Sequence, residues 1–459
     1  LGLTALCAKC HSHKYDPLTQ KEFYQLFAYF NNVPEKGHAI KYGNSPPFLK
    51  TPTREQVVQR ARLEARIKVA KRAWEEMQAQ VDLAEARWEK ADPRFDTKPG
   101  SDPSFPPFTF DSRGKFERRE GGGWTFSRGL SDHFPLDESR MTQPGVYKGV
   151  FGNGLKWKGD PASVKGRSGE AAFLDGSSYI THAHAGHFGF FDRFSVAAWI
   201  KTEDVSRGTI VSRMTDVQQG DGWRLGLEKG KVTVHLVKRW LDDAIRIETL
   251  ETLKPGEWRH VTFTYDGSRT AAGVTIYLDS RPARTKVVLD ELYQNFISDE
   301  PLRIGKGGAS FRGAIDEVHL YTRVLAPEEV GIVAEPASIP QILSTSSSRR
   351  SPVQKQKLRA FFLLGEGFFT GDRRAAAAMY QRLLQAEQDL ADFDDTIPTT
   401  MVMEEMPTPR DTHILLRGEY DKKGAKVSPG LPAALPSLPR DAPNNRLGFA
   451  RSLVDRSNP

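Results

Sequence analysis

Cysteine is nearly absent: among 459 residues only Cys7 and Cys10 carry thiols, so buried cores rather than disulfides must hold the fold. Long apolar runs are missing too. The strongest, Ala360 to Phe369, is broken by Gly and Glu and falls far short of the roughly 18 residues that would span a bilayer. No charged segment followed by an apolar one opens the chain at Leu1, which points to a removed signal or an internal fragment. Charge of one sign is lacking as well. Lys+Arg number 65 against 58 Asp+Glu, a net +7, and the two signs are interleaved, whereas a nucleic-acid partner calls for a clustered basic stripe. No nucleic acid is expected. Catalytic signatures are also absent: there is no G-x-x-x-x-G-K-[ST], H-E-x-x-H or G-x-S-x-G, and Gly365-x-Gly367-x-x-x-Gly371 misses the dinucleotide spacing by one residue. No catalytic constellation can be named. A hydrophobic content of 38% over this length suits about three folding units.

What is present falls into alternating helical and strand patterns. Gln20 to Phe30 places Phe23, Leu26, Phe27 and Phe30 at three-and-four spacing, predicting a helix. From Arg54 to Ala91 there is no Gly or Pro, and Leu63, Ile67, Ala70, Trp74, Met77, Val81, Ala84, Trp88 and Ala91 alternate by four and three. That is a heptad seam. A second seam, Ala376, Met379, Leu383, Ala386, Leu390 and Phe393, predicts an antiparallel coiled-coil-like hairpin, the alternative being an amphipathic helix lying on a globular core. On the hairpin reading residues 92 to about 372 are an insertion at its tip. Within it the period drops to two, over runs such as Ser195–Ile200, Thr209–Val211, Trp223–Leu227, Lys231–Leu236, Arg259–Tyr265, Val274–Leu278, Leu302–Ile304 and Ile315–Tyr321. Short strands punctuated by turns predict an all-β sandwich. The expected organisation is a first segment 1–50, a helix 54–91, a linker 92–129, a sandwich 130–335, a linker 336–352, a returning helical segment 353–398 and a Pro-rich end 399–459. The fold class is multidomain α+β.

Both cysteines belong to Cys7-Ala8-Lys9-Cys10-His11. C-x-x-C-H is the spacing of covalent c-type haem attachment, with two thioether anchors and the next His as an iron ligand. A zinc site with His11 or His13, a redox dithiol and a structural pair compete with it. The opposite haem ligand would come from Met401, Met403, Met406, His413 or His38, since His13 is too near to reach the far face. In the strand region Asp175 and Asp316 lie at strand ends, where carboxylates and carbonyls can assemble a calcium site; turn-forming Asp is the alternative. His182, His184 and His187 read as exposed loop histidines. Trp199 and Trp258 read as core. Trp240, beside Arg239 and Asp242-Asp243, is the better residue for stacking on a ligand.

Two resemblances bear on these residues. Cys7-Ala8-Lys9-Cys10-His11-Ser12-His13-Lys14-Tyr15-Asp16-Pro17 resembles the end of the cytochrome-c-associated domain of unknown function found in large secreted proteins of planctomycete-type bacteria. Met401-Val402-Met403-Glu404-Glu405, Pro409-Arg410, Thr412-His413, Leu416-Arg417-Gly418-Glu419-Tyr420 and Asn445-Arg446-Leu447 resemble the opening of the second unknown-function domain of those proteins. The middle resembles a laminin-G or concanavalin-type jelly roll, through Phe173-Leu174-Asp175-Gly176, Phe194 to Ile200, Trp258-Arg259-His260-Val261 and Gly313 to Tyr321. Together they imply an exported c-type cytochrome-like protein of the periplasm or cell surface. It would carry haem c on Cys7, Cys10 and His11, meet a redox partner, and use the inserted module to bind a glycan or surface protein. A surface adhesion or scaffold protein with structural cysteines, or a fragment of an envelope glycan-processing enzyme, are the alternatives.

Overall fold

The computed structural model describes residues 5–33, 44, 48–91, 108–110, 116–118, 126, 128–136, 141–143, 146–147, 155–159, 162–364, 371–406 and 408–456. The chain divides into two compact units, one of residues 1–39, 47–49 and 399–459 and one of residues 40–46 and 50–398. The two ends of the chain thus share a unit, although the sequence pattern kept them apart.

In the first unit a 3₁₀ turn, Ala5–Lys9, leads to helix α1, Gln20–Phe30, which starts on a capping box between Thr19 and Glu22. Its buried face is Tyr24, Ala28 and Tyr29, while Phe27 and Phe30 are about half exposed. The predicted apolar stripe is therefore not the packed one. The reason is hydrogen bonding: the Tyr24 hydroxyl donates to the Lys9 carbonyl at 3.0 Å and the Tyr29 hydroxyl to Asn444 Oδ1 at 2.8 Å, so both tyrosines bury their rings without stranding a polar atom. Phe449 then stacks on Tyr29, with ring centroids 5.3 Å apart.

The second unit contains the helical hairpin. Helix α2, Arg54–Glu76, and helix α3, Gln78–Ala91, are broken only at Met77. After the sandwich come α4, Pro327–Ala334, α5, Ile339–Ser344, α6, Pro352–Leu364, and α7, Gly371–Thr396. Helix α7 runs antiparallel to α2, as Arg60 pairing with Asp394 at 2.9 Å and Arg66 with Asp389 at 2.8 Å require. Leu63, Val81 and Ala84 on one arm and Ala376, Leu383 and Ala386 on the other are buried, as the two seams predict. The helical part departs from the expected organisation, in which α4 fell within the sandwich 130–335. The returning arm is two helices, and α6 inserts Phe362 and Leu363 against Val81, Ala84 and Ala376. The expected linker 336–352 contains α5, whose Ser338–Gln341 capping box and buried Ile339 and Ile342 seat it on Leu358 and Phe361. A Ser-rich composition hid a helix of only two turns. Residues 92–107 of the first expected linker lie outside the described residues, and Phe108–Phe110 pairs with Phe116–Arg118 beyond them.

The insertion is a sandwich of two antiparallel sheets. One has ten strands in the order Thr285–Glu291, Asp243–Thr252, Lys231–Arg239, Gly222–Glu228, Arg207–Met214, Leu302–Ile304, Tyr179–His182, Leu155–Lys158, Val146–Tyr147, Met141–Gln143. The other runs Arg281–Pro282, Val274–Leu278, Arg259–Tyr265, Phe194–Thr202, Arg312–Tyr321, Glu170–Asp175, Ala162–Lys165, with Leu130–Phe134 pairing the far half of Arg312–Tyr321. Alternate residues fill the space between the sheets, for example Val196, Ala198 and Ile200 facing a core that holds Leu225, Val234 and Ile245. Phe188, Phe194, Trp223 and Phe263 form its aromatic centre. Helices α4 and α6 cover the outer face of the eight-stranded sheet, where Ala197, Tyr277 and Tyr321 meet Val330, Val333 and Ala360.

Candidate functional site

The C-x-x-C-H motif is held by its backbone and presents its side chains outward. Ala8 is fully buried, whereas Cys7 and Cys10 are exposed free thiols. The Lys9 carbonyl between them accepts from both Tyr24 and the Gln20 amide, each at 3.0 Å, and the same amide reaches the Leu415 carbonyl at 3.2 Å. The C-terminal segment therefore helps to clamp the turn that spaces the two sulfurs. His11 is exposed, and its Nδ1 donates to the Ser12 carbonyl at 2.7 Å, which leaves Nε2 as the acceptor nitrogen. His13 serves the local chain instead, its Nδ1 accepting the Asp16 N–H at 2.8 Å and closing the turn before α1.

Among the described residues, Cys7, Cys10 and His11 are not within 4.8 Å of one another as a group able to share one ion. Non-convergent donors fit a zinc ion poorly. Two exposed thiols and an imidazole with Nε2 as acceptor are the donor types that haem c takes. Of the opposite-ligand candidates, Met401, Met403, Met406 and His413 all fall in this unit. Met401 and Met403 are exposed, the Met406 N–H donates to the Asn32 carbonyl at 2.8 Å, and His413 Nδ1 donates to the Gly424 carbonyl at 3.1 Å. His38 lies outside the described residues.

On the sandwich, the structure does not bring Asp175 and Asp316 to one place. Asp175 pairs with Arg312, four residues from Asp316, so the two stand roughly 13 Å apart along the strand. The Asp175 carboxylate caps its own turn: Oδ1 accepts from the backbone N–H of Ser177 and Ser178, both at 2.8 Å, with Gly176 at φ +94° between. The backbone bond from Ser178, with the serine hydroxyls, holds this carboxyl far below the usual range. Asp316 is fully buried and its Oδ2 accepts from the N–H groups of Arg167, at 2.7 Å, and Ser168, at 3.0 Å. His184 and His187 are exposed as expected, but His182 is buried, because its Nδ1 accepts the Ala185 N–H at 3.0 Å and its ring packs on Phe134. Trp199 is buried on the outer face of its sheet rather than between the sheets, with the Arg167 guanidinium 5.0 Å from its ring. Trp258 is half-buried just before its strand.

Trp240 is half-buried at the turn after Lys231–Arg239. The Arg246 guanidinium lies 4.2 Å from its ring centre and His235 meets the ring edge-on at 5.1 Å. Sequence reasoning missed the company it keeps. Arg224, His235 and Arg246 are paired in register across three strands, forming a row on the outer face of the ten-stranded sheet. Arg224 donates to Thr209 Oγ1 at 2.9 Å and to Glu228 at 2.8 Å. Burial, with Arg224 next to it, pushes the His235 pKa well below its ordinary value, so the imidazole is neutral. Only the alternation of polar residues within two strand runs, Trp223–Leu227 and Lys231–Leu236, hinted at such a row.

Comparison with known proteins divides the chain along the same lines. Residues 174–331 match the family described as the concanavalin A-like lectin/glucanases superfamily. Over these residues the sandwich is similar to a laminin-G-type jelly roll. Residues 1–35 match a protein family of unknown function, DUF1549. No curated protein matches the chain. Among solved structures the chain is similar to the binding domain of Paraclostridial Mosquitocidal Protein 1, at 17% identity and a TM-score of 0.36 over 46% of this chain and 52% of that one. Domain 4 of the extracellular arabinanase AbnA from Geobacillus stearothermophilus, solved with arabinotriose, is 18% identical with a TM-score of 0.32, over 45% of this chain and 98% of that one. Trypanosoma rangeli sialidase is 16% identical with a TM-score of 0.33, over 46% and 33%. The similarity thus spans about half of the mosquitocidal domain and a third of the sialidase. Among the described residues no helix is long and apolar enough to cross a membrane.

Proposed function

We propose that this is an extracytoplasmic c-type haem protein whose jelly roll docks it on a glycan. The observation that carries the reading is the presentation of the motif: two exposed thiols on a clamped turn, and His11 with Nδ1 tied to a carbonyl so that Nε2 is the coordinating nitrogen. Cys7 and Cys10 hold the macrocycle and His11 ligates its iron. Bound haem supplies one-electron chemistry. The protein's part is to fix the attachment turn and to orient the imidazole. A pyridine haemochrome spectrum of the protein, made in a host competent for cytochrome c maturation, tests this. A c-type spectrum that survives acid-acetone extraction and is lost in Cys7→Ala/Cys10→Ala is the expected result; folded, exported protein without covalent haem overturns it.

The binding part of the proposal rests on Trp240. An indole beside a guanidinium, on the outer face of a sheet in a fold of lectin type, supplies a stacking surface with a polar handle. Arg246, partly exposed beside Trp240 while Arg224 and His235 are buried behind it, favours a sugar bearing a carboxylate or sulfate. Binding of acidic over neutral oligosaccharides, reduced in Trp240→Ala and Arg246→Gln, supports this site. Equal binding by wild type and both variants rejects it.

A further inference from the structure

Strand Arg312–Tyr321 changes phase midway. Ile315 and Val318 both lie in the core and are fully buried, so Asp316 and Glu317 between them share the outer side, where strict alternation would turn one inward. A bulge causes this: Ala197 pairs with His319 but Trp199 with Asp316, and Glu317 adopts φ +50°. That conformation strains a non-glycine residue, and the bulge re-aims the carboxylate. Glu317 thereby meets two histidines. His319 follows it on the same strand, and His133 stands directly opposite His319 on Leu130–Phe134. The two rings stack 4.0 Å apart at 11°, and both are almost completely buried.

His319 Nδ1 donates to the Glu317 carbonyl at 2.8 Å. This fixes the tautomer and makes Nε2 the acceptor nitrogen, 3.7 Å from Glu317 Oε2. His133 Nε2 hydrogen-bonds the same carboxylate oxygen, and the three side-chain atoms all lie within 4.8 Å of one another. We infer that His133, Glu317 and His319 form a structural site for a divalent cation of the zinc class, which fastens strand Leu130–Phe134 to the bulge. Two nitrogens and one carboxylate oxygen make a borderline donor set that suits zinc better than calcium. A tetrahedral zinc holds its four ligand atoms roughly 3.3 Å apart, so binding requires the two stacked rings to tilt toward one another, with water as the fourth ligand. A backbone carbonyl on the far nitrogen is also what orients a ligating histidine.

Helix α6 sets the competing charge. Lys357 is buried, its Nζ donates to the Glu335 carbonyl at 2.5 Å, and it is close enough to Glu317 for their charges to interact. The ammonium balances the carboxylate when no metal is bound and opposes a second cation when one is. Lys357→Met should therefore tighten metal binding, an effect that a merely hydrogen-bonded cluster would not show.

The test uses the full chain with Cys7→Ser and Cys10→Ser, so that sulfur cannot hold the probe, stripped with EDTA and titrated with cobalt(II) and then zinc(II). The expected result is one equivalent of cobalt with visible bands of nitrogen and oxygen ligation, its displacement by zinc, and a higher melting temperature with zinc. Glu317→Gln and His133→Gln should each weaken zinc binding by about tenfold or more, and Lys357→Met should strengthen it. Folded protein that takes up no cobalt overturns the inference, as does binding unchanged by Glu317→Gln. Should a ligand variant fail to fold, Lys357→Met decides: unchanged affinity there counts against the site.

Discussion

Trp223→Phe probes whether the aromatic centre of the sandwich is held by packing and one buried hydrogen bond together. Trp223 is 1% exposed and its ring lies 5.9 Å from Phe194, 6.0 Å from Phe188 and 6.3 Å from Phe263. Its Nε1–H donates to the Gly186 carbonyl at 2.9 Å, a buried bond. Phenylalanine keeps most of the contacts but strands that carbonyl, at a cost of about 1–3 kcal/mol. It also leaves a gap of roughly 40 Å³, worth about 1 kcal/mol if the walls do not relax. The expected loss is about 2–4 kcal/mol. Urea unfolding of the sandwich transition, followed by far-UV circular dichroism, reads it directly. Trp258→Phe, at a half-buried position, is the control and should stay within about 0.5 kcal/mol. A loss below about 1 kcal/mol for Trp223→Phe would mean that the carbonyl finds water or another donor, and the account of this core would fail.

His11→Ala should retain covalent haem through Cys7 and Cys10 but change the iron's spectrum from that of the wild type; an unaltered spectrum excludes His11 as the ligand. His260 is fully buried, and burial pushes its pKa down to about 3 from 6.5. Between those values the unfolded chain binds more protons than the folded one, so stability present above pH 6.5 is lost as pH falls toward 3. His235, displaced the same way, adds to the slope; His260→Gln should flatten the stability profile over this window, and an unchanged profile refutes the assignment. Phe362→Ala removes a fully buried ring at the junction of α3, α6 and α7 and should cost about 3–5 kcal/mol, read as early loss of helical signal on heating.

Some of the architecture was legible because one periodicity dominated each segment. The two seams of α2–α3 and α7 announced each other, since an apolar stripe at three-and-four spacing is stable only when covered. The strand run Arg259–Tyr265 was legible to the residue, as were Val274–Leu278 and Leu302–Ile304. Asp243–Thr252 was not: its first residue is an aspartate whose buried carboxylate accepts the N–H groups of Tyr293, at 2.7 Å, and Gln294, at 3.1 Å, partners that no local pattern names. Helix α1 was legible as a helix but not in its orientation, because the tyrosines are buried by hydroxyl bonds to the Lys9 carbonyl and, for Tyr29, to Asn444 about 400 residues away. That register of contact has no local signal.

The sequence by itself determined the C-x-x-C-H spacing, the helical hairpin and the strand-rich insertion, since each depends on local period and short-range stereochemistry. Only the tertiary structure decided which side chains act together. Arg224, His235 and Arg246 meet because three strands pair in one register, and His133 reaches Glu317 and His319 because a strand begun almost two hundred residues earlier lies against a bulge. Both groupings follow from long-range strand pairing, whose free energy comes from the whole buried sandwich rather than from the residues that end up side by side.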